Sequence, residues 1–166
     1  MAEYTEVLGN NIHTAIQANL TTVLESINDP RGRINTDNYI YQSDPRSKAA
    51  NFSDYPIIYI EDYSVTDAGD PTLSGEVFNL TVEAEFAVIA NDDSQQQKQW
   101  HDSVSDSIDY EFKYGSRVSL KEQGIGQITV NRNNRFTGED RADQPIIRRE
   151  IVIEAPMQID YSKVSN

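Results

Sequence analysis

Along residues 76–91 and 145–161, polar and apolar side chains alternate almost without interruption. In the first run Phe78, Leu80, Val82, Ala84, Phe86 and Val88 fall on one side, and Asn79, Thr81, Glu83 and Glu85 fall on the other. In the second, Ile147, Ile151, Ile153, Ala155, Met157, Ile159 and Tyr161 oppose Arg148, Glu150, Glu154, Gln158 and Asp160. A period of two predicts strands, because successive strand side chains point to opposite sides of a sheet. A strand of about fifteen residues extends roughly 50 Å, whereas a compact domain of this size is only about 40 Å across. The two strands therefore bend strongly or project from the body. A projecting strand with apolar positions needs a second molecule to cover it.

A period near 3.6 marks two helices. Leu8, Ile12, Ile16, Leu20, Val23, Leu24 and Ile27 define an amphipathic helix that Asn28, Asp29, Pro30 and Gly32 stop. Trp100, Val104, Ile108 and Phe112 stand four apart on another, with Ser94 and Gln97 as its capping box and Gly115 as its end. Residues 56–60 form a short strand, apolar on both faces and hence central. Further strands are expected over 118–120 and 125–130, followed by a loop tip or hairpin extension over 131–145. Residues 31–55 are polar and without sustained period, so they read as a long loop, a length uncommon in compact domains unless functional or disordered. Tyr39, Tyr41 and Phe52 make this loop apolar enough to order against a neighbouring molecule; the other reading is a mobile loop with one short strand over 39–42. The order of elements predicts a single α+β domain over residues 1–166, with a largely antiparallel, curved sheet of long strands and two main helices packed on one face.

Composition narrows the functional classes. No stretch approaches the roughly 18 to 20 apolar residues of a membrane span, and the start of the chain lacks a basic segment followed by an apolar one, so neither membrane insertion nor a secretory leader is expected. The absence of cysteine excludes disulfides and thiolate chemistry. A net charge of −13 argues against a nucleic-acid clamp, which must neutralise phosphates with clustered Lys and Arg. It is compatible with an acidic channel that repels a passing duplex. Lysine is scarcer than arginine, a balance that suits high-salt surroundings as well as an ordinary acidic protein.

No constellation for catalysis emerges. His101 is followed by Asp102 and Ser103, but adjacent residues on a helix do not face one another. No Gly-x-Ser-x-Gly elbow surrounds a serine, and Gly124-Ile125-Gly126 lacks the third glycine of a dinucleotide loop. Asp102, Asp106 and Asp109 share a helical face that could hold a hard cation, although a solvated face accounts for them as well. No catalytic residue, metal or cofactor is therefore assigned, and the chain is expected not to be an enzyme. The basic residues carry more information. Arg132, Arg135 and Arg141 cluster near the expected tip and Arg148 and Arg149 open the last strand, a patch suited to carboxylates of another copy. Glu83 and Glu85 on the facing strand are candidate partners through cross-strand pairing. Together with Tyr39, Tyr41 and Phe52, these are the residues expected at a subunit or tail interface.

An N-terminal amphipathic helix, a Tyr-Pro-Ile-Ile-Tyr-Ile strand, a long strand ending in Ile89-Ala90-Asn91-Asp92, a helix near Gln97 and closing strands form a layout that resembles the tail terminator and tail completion proteins of long-tailed viruses. The resemblance implies a ring of identical subunits, usually a hexamer, that caps the tail tube and joins it to the head connector, with DNA passing through its centre without being specifically bound. It also implies a place in the virion tail or neck after assembly in the host cytoplasm. A different architecture in keeping with the pattern is a small-molecule-binding α+β cone, with Tyr59, Trp100 and Phe86 around a cavity.

Overall fold

The structure, a computed structural model, describes residues 11–33, 38–49, 51–67, 77–115 and 128–160. The two alternating segments form the longest strands, β3 (Val77–Asn91) and β6 (Pro145–Asp160), within one residue of the expected bounds. They pair with each other along fifteen registered positions, from Val77 opposite Asp160 to Asn91 opposite Ile146. The short strand expected at 56–60 is the start of β2 (Ile57–Asp67), which pairs antiparallel with β3 on its other side. Two-residue β1 (Ile40–Tyr41) adds the sheet's parallel pair beside β2, and β4 (Thr129–Arg132) and β5 (Phe136–Glu139) both lie along β6. Among the described residues the result is an open, mixed but largely antiparallel six-stranded sheet in the order β1-β2-β3-β6-β4, with β5 also on β6. A register shift between Ile60 and Asp62 makes Glu61 the extra residue of a bulge, and a bulged strand bends where it occurs.

Helices α1 (Asn11–Glu25) and α2 (Gln95–Tyr110) pack on one face of this sheet, so the fold is α+β as the patterning implies. Leu20, Val23 and Leu24 of α1 and Trp100, Val104 and Ile108 of α2 meet Ile58, Ile60, Ala84, Phe86, Val88, Ile151 and Ile153 in one apolar cluster. Leu8 lies outside the described residues. The Ser94 hydroxyl caps α2 by accepting from the Gln97 amide at 3.3 Å. Gln97 does not return the bond to Ser94: its carboxamide oxygen accepts from the Asn91 amide and its nitrogen donates to the Tyr55 carbonyl, tying the helix start to the end of β3 and to the segment that leads into β2. Past Tyr110 the helix widens into a π-helical turn, Glu111–Gly115, that carries Phe112 into the core.

The opposite face has a second, smaller cluster. Ile57, Tyr59, Ala87, Ile89 and Ile146 are buried there with Tyr55, and Tyr41 and Phe52 pack against them. Phe52 meets both tyrosines edge to face, at 6.1 Å from Tyr41 and 5.4 Å from Tyr55. This corrects the expectation that residues 31–55 order against a neighbouring molecule. The described part of that segment lies on the chain's own sheet, because Ala87 and Ile89 break the polar alternation and leave apolar area to cover.

Residues 131–145 also differ from a free tip. The β4 and β5 strands are laid end to end along β6, joined by the Asn133 amide donating to the Glu150 carbonyl at 3.0 Å. The tight turn from β5 into β6 is held by Asp140, whose Oδ1 accepts from the Ala142 and Gln144 amides, with Asp143 in the left-handed region at φ 58°. The strand expected over 118–120 falls outside the described residues.

Candidate functional site

Next to the second cluster, midway along the ladder, the same face turns acidic. Strand register places Asp62 beside Glu85, Ser64 beside Glu83, and Glu83 beside Glu154. Glu61, extruded by the bulge, joins Glu85 and Glu150 so that carboxylate oxygens of all three lie within 4.8 Å of one another. Among the described residues the cation bonded to this group is Arg148, whose Nη2 donates to Glu61 at 2.9 Å and to Glu150 at 3.0 Å. Arg148 also donates to the Tyr59 hydroxyl, and its guanidinium lies over the Tyr59 ring at 5.7 Å. Partial burial, reinforced by Glu61, Glu150, Asp62 and Glu83, pushes the Glu85 carboxyl above its ordinary value. Like charges directly opposite one another destabilise a strand pair, so this surface opposes its own folding in the free chain.

The arginines expected to meet Glu83 and Glu85 have other partners. Arg132 bonds Asp106 and Arg135 reaches Asp102 at 3.3 Å, pinning the β4–β5 stretch to α2. Asp109 pairs with Lys113 at 2.8 Å, so each aspartate of the acidic helix face has a cation of this chain beside it. Cross-strand pairing with Glu83 and Glu85 is therefore corrected: strand register sets those carboxylates among other acids, while Arg132 and Arg135 reach down to the helix. Arg141 is exposed on the β5–β6 turn. Arg149 shares the helix-facing side with its register partner Val88, and its positive charge helps depress His101.

Tyr39 is also corrected as a surface contact. It is 2% exposed, stacked on Trp100 with ring centroids 5.6 Å apart. Tyr41 and Phe52 are half-buried in the second cluster. The residues proposed for a cone do not share a cavity, since Phe86 and Trp100 belong to the helix-side core and Tyr59 to the other layer.

Two residues with organising roles escape the pattern. The Arg31 guanidinium, nearly buried, donates to the Asp54 and Asn38 carbonyls, pairs with the Asp54 carboxylate at 3.2 Å and lies 3.7 Å over the Tyr39 ring. Its position within a polar loop gave no periodic signal. His101 is fully buried, with Nε2–H donating to the Val88 carbonyl at 3.1 Å. Burial, with Arg149, holds its pKa below the ordinary value against the opposing pull of Asp102 and Val88, so His101 is a neutral core group. Its place one residue after Trp100 on the inner face of α2 was the available signal.

Among the described residues, no helix is long and apolar enough to cross a membrane. Compared with protein-family profiles and with curated proteins, the chain matches none.

Proposed function

We propose that this chain is a structural virion protein, a ring-forming tail terminator or tail completion protein that caps the tail tube and joins it to the head connector. The observation that carries the reading is the β2–β3–β6 ladder. Beyond Val82 opposite Ala155, β3 and β6 remain paired for five further positions, to Val77 opposite Asp160. A sheet of this reach, with one end wrapped on both faces by the chain itself and an acidic outer face midway along it, suits a subunit completed by its neighbours. In a ring, that acidic face is assigned to the central passage, where it would repel a duplex and keep it from sticking. No catalytic role, cofactor or metal forms part of this proposal.

The experiment is to label virions with an antibody against the chain and image them in negative stain. Labelling at the head–tail junction, with ring-shaped particles from purified protein, is the expected result. Tails and necks free of the chain would overturn the assignment.

A further inference from the structure

We propose that the cleft where the C-terminal end of α1 meets α2 binds an organic cation, an ammonium or guanidinium group carried on an apolar body. The cleft encloses about 480 Å³, within the size range of small-ligand sites, and is lined by Leu24, Ile27, Tyr39 and Trp100 with Glu25, Asp29 and Arg33. The aliphatic and aromatic side chains supply a surface for the apolar body. The polar groups select its charge.

Three independent features set that sign. First, Glu25 occupies the last turn of α1, where the helix dipole is negative, and that turn contains no basic residue to offset it. Second, Asp29 spends one carboxylate oxygen on the Arg31 amide at 2.8 Å, while its other oxygen is buried without a hydrogen-bond partner among the described residues, so its charge acts on the cleft through space. Third, the nearby guanidiniums of Arg31 and Arg33 are both drawn to Asp54, each at 3.2 Å, rather than to Glu25 or Asp29. An added cation thus meets the exposed Glu25 carboxylate and a helix C-terminus, with the Asp29 carboxylate behind them. An anion of the same size meets those carboxylates as repulsion. A free amine and a basic side chain of a second copy share this chemistry.

Trp100 is the chain's single tryptophan and lines the cleft, so its emission reports occupancy directly. The test titrates phenethylammonium chloride into the full chain at constant ionic strength, with phenylpropionate as the anionic match. A saturable emission change with the amine alone is expected. Glu25→Gln removes an exposed charge, and Asp29→Asn keeps an oxygen to accept from Arg31. Each should weaken the amine by about tenfold, the scale of one charge-assisted hydrogen bond, with folding checked by far-UV circular dichroism. Light scattering run alongside separates the two sources. If the amine dissociates an oligomer, the cleft takes a basic side chain of a second copy; if mass is unchanged while emission saturates, it takes a free amine. Either result supports the cation assignment. Equal response to amine and anion, no saturable response, or full affinity retained in both variants would overturn it.

Discussion

The two faces of one sheet are stabilised by different means. On the helix side, alternation delivers Phe86, Val88, Ile151 and Ile153 to a cluster that α1 and α2 close. On the opposite side, the apolar end is covered by a loop that carries Phe52 and Tyr55, and next to it lies a field of carboxylates around Arg148. The first face is an ordinary core. The second combines a thin aromatic layer with self-repelling charge, an arrangement costly for a free chain and useful at a surface that must repel polyanions. Length alone made both long strands look like assembly elements, but their near halves are fully used within the chain, and the argument for partners rests on the far halves.

Four changes would break or sharpen this contrast. Phe86→Ala, in the middle of the helix-side core, should lower stability in urea unfolding by about 3–5 kcal/mol, the scale of a large buried aromatic lost to a cavity. A loss below about 1 kcal/mol would mean that this face is not the dominant core. Arg31→Met comes next. It keeps the apolar stem but leaves the Asp54 and Asn38 carbonyls without their donor, so a loss of about 2 kcal/mol is expected. Because Arg31 anchors the covering loop, hydrogen exchange should quicken at residues 38–49 before it quickens in α2.

The acidic stretch predicts a change of opposite sign. A carboxyl whose pKa is raised on folding contributes stability that is full below its ordinary value of 4.5 and is lost as pH rises through the higher folded value. Glu85→Gln should therefore raise the unfolding midpoint at pH 7, and the gain should vanish near pH 4 and shrink in high salt. His101 works the other way: with its pKa depressed, its contribution is present above 6.5 and is lost as pH falls through the folded value. Acid destabilisation from His101 should persist in the Glu85→Gln variant. A variant no more stable than the parent at neutral pH would remove the case for carboxylate repulsion. The smallest effect belongs to the exposed pair of Arg132 and Asp106. A double-mutant cycle there should give a coupling of about 1 kcal/mol or less, whereas a clearly larger value would make the β4–β5 stretch a stabilising part of the core rather than a lightly pinned edge.

Strand and helix identity were legible because burial on one face imposes a period: β3, β6 and the Trp100-Val104-Ile108-Phe112 stripe follow from spacing alone. The role of residues 31–55 was not, since Arg31, Tyr39 and Phe52 act through contacts distant in sequence that no local period encodes. The arginine patch illustrates the same limit. Clustering in sequence suggested a surface for other molecules, yet β4 and β5 lie flat on β6 and bring Arg132 and Arg135 over the aspartates of α2. Glu83 and Glu85 were correctly placed opposite the apolar face of β3, but their acidic company depended on the register of three strands and on a bulge at Glu61.

The central claim, that the far end of the ladder is completed by further copies, is tested most directly by the absolute mass of the purified protein. Size-exclusion chromatography with light scattering, run over a wide range of concentration and salt, should reveal a closed oligomer of the 18.8 kDa chain, sixfold if the resemblance to tail terminators extends to ring order. A single 18.8 kDa species at the highest concentration, in low and high salt alike, would contradict the account.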